Sequence, residues 1–256
     1  MHSIPLAASA EISEIGATDV RAHPRPSRRR FYVGLALFMI GLVVAGFWPS
    51  YLGPLFRGAV VARPWVIHLH FAVFAGWMAL LLTQVILVSL GHTSAHQKVG
   101  SVGIGYGFLV LSVGLLVSFA APILHIAAHE WAMDEAASFL LLPLGDMALF
   151  GSFFVAAIFY RDRPEIHKRL ILLATVALLF AAAGRLIPLR KTPVTALLVW
   201  LSPLLVAMGY DGVTRRRVHP AYLIGTAILL LGFTRVFFTQ SAAWLKIGRA
   251  MLTAMM

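Results

Sequence analysis

The sequence predicts an all-α fold: an integral membrane bundle of seven transmembrane helices. Apolar residues make up 60% of the chain and charged residues only 12%, and the mean hydropathy is +0.86. Soluble domains carry roughly 25% charged residues, so this composition belongs in a bilayer. The apolar segments use nearly the whole chain, which leaves no room for a soluble catalytic domain.

Each predicted span is an apolar run of about 20 residues, the length that an α-helix needs to cross the hydrocarbon core. Seven runs meet this criterion: 31–48, 65–90, 101–124, 136–160, 168–189, 192–211 and 221–241. Pro143 and Pro203 fall inside spans four and six, where each is expected to kink the helix. Gly103 and Gly107 are four residues apart in span three and predict a face of small residues for helix packing.

The lysines and arginines predict the topology, because they cluster before span one and in every second loop between the spans. Most of them precede span one or lie between spans two and three, four and five, and six and seven. The positive-inside rule then places the N-terminus inside and the C-terminus outside. Residues 1–30 are polar and rich in arginine and predict a disordered basic cytoplasmic tail, with the seven-helix domain over 31–256. Despite a net charge of +11, we expect membrane lipids as partners and no nucleic acid, since no nucleic-acid-binding motif accompanies the charge.

The absence of cysteine removes several kinds of chemistry. With no Cys in the chain, disulfides, thiolate nucleophiles, iron–sulfur clusters and cysteine-ligated haem or zinc are excluded.

Span two carries three polar or amphipathic side chains on one face. His70, Trp77 and Gln84 are spaced by seven residues, almost two helical turns, so all three point the same way. Lipid does not favour histidine or glutamine, so this face is expected to look into protein or a cavity. His70 lies near the outer end of the span and Gln84 toward the inner end.

Histidines near both membrane faces predict b-type haem, or a quinone, held by imidazoles from different helices. Cofactor binding is assigned to His70 on the outer side and to His96 with His167 on the inner side, with hydrogen bonds from Gln84 and Arg169. Metal binding is the neighbouring hypothesis. Its candidate ligands are His70, His96, His125, His129 and His167.

Asp146 and Arg185 form a second candidate site, an intramembrane ion pair between spans four and five. An aspartate at mid-bilayer costs at least about 2.5–3.5 kcal/mol, so a partner or a proton is expected. The pair has two interpretations, a structural lock between two spans or a site that couples protons or substrate to transport.

Two motifs resemble a poorly characterised family of bacterial multi-pass membrane proteins, over roughly residues 65 to 190. The first is a His…Trp…Gln…His-x-basic-x-Gly pattern and the second is a Pro-Glu-x-His-Lys-Arg-Leu run followed by an Arg-Leu pair. The matching residues are His70, Trp77, Gln84, His96, Lys98 and Gly100, then Pro164, Glu165, His167, Lys168, Arg169, Leu170, Arg185 and Leu186. Gln97 and Val99 depart from the pattern. The resemblance implies the multi-pass fold, the pairing of His96 with His167, and a location in the inner (plasma) membrane.

Three functions remain open from the sequence. The first is a redox or electron-transfer protein that binds haem or quinone, and the second is a proton-coupled transporter of small solutes that uses Asp146 and Arg185. The third is a non-catalytic accessory subunit of a larger membrane complex. The expected protein partner is such a complex or further copies of this chain in a homo-oligomer. Whether the chain is an enzyme is not decided by any motif in it.

Overall fold

The computed structural model describes residues 26–58, 63–188 and 191–256, and this part of the chain is helical with no strand. Its ten α-helices and two shorter helical segments follow one another in this order: α1 Pro26–Phe47, a π-helical turn Trp48–Leu52, α2 Gly53–Phe56, α3 Trp65–Ser89, α4 Thr93–Ala127, α5 Met133–Phe159, α6 Pro164–Leu178, α7 Phe180–Leu186, α8 Pro193–Arg215, α9 Pro220–Phe233, a 3₁₀ segment Thr234–Phe238, and α10 Ala242–Thr253.

Six helices of the described residues are long and apolar enough to cross a membrane: α1, α3, α4, α5, α8, and α9 with its 3₁₀ extension. A seventh span results if α6 and α7 are taken together, and these two helices meet at a bend of 44°. The all-helical membrane-type bundle predicted from the sequence is therefore confirmed, with six or seven spans. We call the end of the bundle where α1 begins the inner end and the opposite end the outer end, after the predicted topology.

The predicted tail lies mostly outside the described residues. α1 begins at Pro26, so the last residues of the predicted tail, 26–30, belong to a helix.

α6 lies at the centre of the bundle. Its residues 172–177 are all buried, as expected of a helix surrounded by other helices rather than by lipid. Two indole groups anchor it, because the Nε1 of Trp77 donates to the Oγ1 of Thr175 at 3.2 Å and the Nε1 of Trp200 donates to the carbonyl of Val176 at 2.7 Å. α3 and α8 are thereby tied to two adjacent residues of α6.

The small residues of α4 pack differently from the prediction. Gly103 faces the side chain of Leu80 on α3, whereas Gly107 faces the ring of Phe154 on α5. Each glycine therefore receives a large side chain from a different neighbour, and the two do not form one face for a single partner helix.

α10 follows the last span and is not among the helices predicted from the sequence. The Oγ of Ser241 accepts from the backbone N–H of Trp244 at its start, and the Nε1 of Trp244 donates to the carbonyl of Ala137 at 2.8 Å. Arg249 pairs with Asp134. These contacts hold α10 against the first turns of α5, at the outer end of the bundle.

Candidate functional sites

The inner end brings together three of the predicted cofactor-binding side chains. His96 lies in the first turn of α4 and His167 in the first turn of α6. With its amide oriented so that both ends find partners, Gln84 donates to the Nδ1 of His96 at 2.6 Å and accepts from the backbone N–H of Gly100 at 2.8 Å. The two imidazoles lie close enough to interact electrostatically.

The hydrogen bonds at the inner end fix the tautomers of both rings. The Nδ1 of His167 donates to the carbonyl of Ala157 at 2.8 Å, so the neutral ring keeps a lone pair on Nε2. The Nδ1 of His96 accepts from Gln84, so its neutral ring carries the proton on Nε2. One imidazole therefore offers a donor and the other an acceptor. This arrangement suits a ligand with both functions more directly than a metal that needs two lone pairs.

His70 does not belong to the inner group. It is 14 residues from Gln84 on α3, which places it about 21 Å away along the helix axis. Its ring packs on Phe74, with the centroids 4.1 Å apart, and its Nδ1 is buried without a hydrogen-bond partner in the described residues. The polar face of α3 therefore serves two sites, one at each end.

Arg169 is engaged in an ion pair that the sequence analysis did not predict. Its Nη2 donates to the Oδ2 of Asp211 at 2.5 Å and its Nε to the same oxygen at 3.1 Å. Its Nη1 donates to the side chain of Glu165 at 2.9 Å. All three guanidinium nitrogens therefore make hydrogen bonds within the protein, and the hydrogen bond from Arg169 to a cofactor stays a prediction.

Asp146 is buried in α5, and its partner is Arg235 rather than the predicted Arg185. The Nη2 of Arg235 donates to the Oδ1 of Asp146, and both side chains are at most 9% exposed. The Nη1 of Arg235 also donates to the carbonyl of Gly232 at 2.7 Å. The predicted pairing of Asp146 with Arg185 is therefore wrong: the arginine that binds Asp146 comes from the last span.

Three helix irregularities surround this ion pair. Pro143 interrupts the hydrogen bonding of α5 one turn before Asp146. α6 gives way to α7 at Leu179, and the ring of Phe180 lies 4.5 Å from the guanidinium carbon of Arg235. Arg235 itself belongs to the 3₁₀ segment that ends the last span. Its side chain is buried in the bundle.

An open cleft of about 290 Å³ lies on the outer side of the 3₁₀ segment. Its polar lining includes Glu135, Ser138 and Gln240, and the Nε2 of Gln240 donates to the Oγ of Ser138 at 2.7 Å. The rest of the lining is mostly apolar, and the cleft lies beside the segment that carries Arg235.

Arg185 ends α7 at the outer surface without a carboxylate partner among the described residues. Its Nη1 donates to the carbonyl of Ala181 at 2.9 Å, and its guanidinium carbon lies 4.4 Å from the ring centroid of Phe47. Arg63 and His70 are both close enough to interact with it electrostatically.

The predicted metal ligands are spread over the molecule. α4 ends at Ala127, so His125 and His129 do not share a helical face. His125 instead binds Glu130 at 2.5 Å and stacks on Trp131. Within residues 26–58, 63–188 and 191–256, no group of three or more His, Asp or Glu side chains is arranged to hold a metal ion.

Scans of protein-family models, of curated proteins and of solved structures find nothing that matches this chain. The resemblance drawn from the two motifs therefore stays a prediction.

Proposed function

We propose that this membrane protein is a proton-coupled transporter of small solutes, with the ion pair of Asp146 and Arg235 as its coupling element. The observation that carries the proposal is the position of the pair, because a buried aspartate and arginine meet where three helices depart from regular geometry. Ionisable groups are costly inside a membrane and mark transport pathways or proton relays there. Discontinuous helices are likewise typical of transporter binding sites.

The chemistry of the pair suits a coupling role. Protonation of Asp146 removes the charge that Arg235 neutralises, which leaves a guanidinium in need of another partner. The Nε of Arg235 has no hydrogen-bond partner among the described residues, so the arginine is not fully satisfied even in the paired state. A proton that reaches Asp146 would thus free Arg235 to change position.

The test is charge movement on a solid-supported membrane with reconstituted protein, challenged with a panel of amino acids, sugars and organic acids at several pH values. We expect the wild type to respond to at least one solute and Asp146→Asn to abolish the response. The matched control is Asp134→Asn, which removes an exposed aspartate paired with Arg249, and it should retain the response. A silent wild type, or an Asp146→Asn protein that responds as the wild type does, contradicts the proposal.

The inner histidine pair supports a second candidate, a redox protein that binds b-type haem or quinone. Its specific support is the juxtaposition of His96 and His167 and the Nδ1 of His167, which donates to the carbonyl of Ala157 as the second nitrogen of a ligating imidazole usually does. Haem ligation by His96 requires the amide of Gln84 to turn over, so that its oxygen accepts from Nδ1–H and Nε2 becomes free.

An absorbance spectrum of purified protein, expressed with haem supplementation, separates the two candidates. A redox protein shows a Soret band that disappears in His96→Ala and His167→Ala. The exposed His92 supplies the control, since His92→Ala should keep the band. A wild type without a Soret band eliminates haem.

A further inference from the structure

The outer end of the bundle contains cations in a region without acidic residues. The chain has no aspartate or glutamate from residue 20 to 129 or from residue 166 to 210. These ranges supply the whole of α1, α3, α4 and α7. Arg63 and Arg185 come from the same ranges, so no neighbouring carboxylate on these elements can neutralise them.

The acids elsewhere at the outer end already have partners. Glu130 binds His125, Asp134 binds Arg249, and the side chain of Glu135 accepts from the backbone N–H of Ala132 at 2.9 Å. The charge of Arg63 and Arg185 is therefore left without a counter-ion from the described protein.

Both guanidiniums lie against the outer end of α1 and the turn that follows it, Arg63 at Ser50 and Arg185 at Phe47, through contacts that leave donors free. Arg63 donates from Nη2 to the carbonyl of Ser50 at 2.7 Å, and Arg185 donates from Nη1 to the carbonyl of Ala181. Each of these contacts uses one nitrogen, and the two side chains interact electrostatically as like charges. Like charges repel, and an anion that contacts both guanidiniums would remove this repulsion.

His70 adds an independent observation. Its Nδ1 is buried and has no hydrogen-bond partner among the described residues, and it lies within electrostatic range of Arg185. A buried polar nitrogen without a partner is unfavourable and points to a missing ligand atom. The neutral ring can carry its proton on Nδ1 and donate it.

The backbone holds this arrangement in place. Gly46 lets α1 approach α7 so closely that a Cβ there would lie 2.6 Å from the carbonyl oxygen of Ala182. This contact fixes the end of α1 against the end of α7. Phe47 ends α1, and the guanidinium of Arg185 on α7 lies over its ring.

We propose that Arg63, Arg185 and His70 form a binding site for a phosphoryl group at the outer end of the bundle. Guanidinium groups bind phosphate through paired hydrogen bonds, and a tetrahedral anion can accept from donors on three different elements at once. The phosphoryl group comes either from a lipid headgroup at the bilayer surface or from a soluble phosphate. The site does not depend on the proposed transport function.

The experiment measures the unfolding midpoint of the full-length protein in a neutral detergent, titrated separately with inorganic phosphate and with short-chain phosphatidylglycerol at constant ionic strength. We expect stabilisation of the wild type and an apparent Kd that rises about tenfold or more in Arg185→Gln, as the loss of a charge-assisted contact implies. Arg63→Gln and His70→Gln should weaken binding as well.

The control is Lys246→Gln, which removes the same charge from the exposed face of α10 and should leave the apparent Kd unchanged. If Arg185→Gln does not fold, Arg185→Lys takes its place, since it keeps the charge and loses the paired geometry. Stabilisation by both probes identifies a phosphoryl site open to soluble anions, and stabilisation by the lipid alone identifies a headgroup site. No stabilisation by either probe, equal stabilisation by acetate, or an equal loss in Lys246→Gln overturns the proposal.

Discussion

The guanidinium of Arg169 and the carboxylate of Asp211 meet at 2.5 Å with side chains that are 0% and 1% exposed. The pair joins α6 to α8, and the ring of Tyr222 on α9 lies 5.1 Å from the guanidinium carbon. Glu165 and Arg215 extend the network to the inner surface through their own ion pair at 2.5 Å. The inner ends of three helices are thus held by one buried cation.

We predict that Asp211→Asn destabilises the protein by about 3–5 kcal/mol, because it leaves the buried charge of Arg169 without its main partner. Unfolding in mixed micelles by a denaturing detergent measures the change. The control is Arg217→Gln, an exposed cation of the same inner end, which should alter stability by no more than about 0.5 kcal/mol. Equal effects of the two substitutions would show that the buried pair has no special weight.

A double-mutant cycle should distinguish the observed partner of Asp146 from the one expected from the sequence. Asp146→Asn combined with Arg235→Gln should show a coupling energy of about 1–3 kcal/mol, because the two residues share a buried ion pair. Asp146→Asn combined with Arg185→Gln should be additive within roughly 0.5 kcal/mol. Coupling to Arg185 without coupling to Arg235 would refute the pairing seen in the structure.

The contact between α1 and α7 predicts opposite outcomes for two glycines of the same helix. Gly46→Ala places a methyl group against the backbone of Ala182, which cannot move aside as a side chain would, so the unfolding temperature should drop. Gly41→Ala meets nothing within 4 Å and should stabilise α1 by up to about 1 kcal/mol. Thermal unfolding of both variants in the same detergent tests these two outcomes. A stabilising Gly46→Ala would contradict the close contact between α1 and α7.

Acidification should destabilise the inner end through His219. Burial, reinforced by the nearby Arg169 cation, lowers the pKa of His219 below its usual value. The unfolded chain therefore binds a proton more readily than the folded protein, and stability falls as the pH drops below about 6.5. Above that pH both states are neutral at this position and the effect disappears.

His219→Asn provides the measurement of this effect. The Nδ1 of His219 accepts from the backbone N–H of Ala221 at 3.1 Å, as the N-cap of α9, and asparagine can keep that role without titrating. The variant should show a smaller fall in unfolding temperature than the wild type between about pH 7.5 and about pH 5.5. The control His92→Asn should follow the wild type, and an unchanged slope in His219→Asn would count against the assignment.

The sequence predicts the long helices well, because the length of an apolar run relates directly to the thickness of the bilayer. It also predicts that Gln84 and His96 lie on the same side of the membrane as His167. The break at Leu179 falls inside the predicted span 168–189 and has no proline or glycine at the break itself to announce it. Packing among the neighbouring helices, not local propensity, sets that bend.

The partner of Asp146 was less accessible to sequence reasoning. The depth of a residue in the bilayer follows from a constant rise of 1.5 Å per residue along the helix. By depth alone, both Arg185 and Arg235 could pair with Asp146. The structure pairs Asp146 with Arg235, which lies in a 3₁₀ segment that begins at Thr234, and nothing in the sequence around Thr234 signals this segment. The pairing of Asp211 with Arg169 does have a signal in the sequence. Asp211 is an acid at the end of an apolar span, on the same predicted side as Arg169.

α10 also carried a signal. Ser241 is a typical N-cap residue, and Trp244, Gly248 and Leu252 recur every four residues on the face that packs against α5. With twelve residues, this amphipathic helix is too short to meet the length criterion for a membrane span.

The shortness of α7 has a mechanical consequence. Phe180 at its start lies on Arg235, and Arg185 near its end lies on Phe47, about 7.5 Å further along the axis. A shift of this seven-residue helix would disturb both contacts. Binding at the proposed outer site and the state of the buried ion pair would then be linked, and any influence of one on the other would be matched by an equal influence in return.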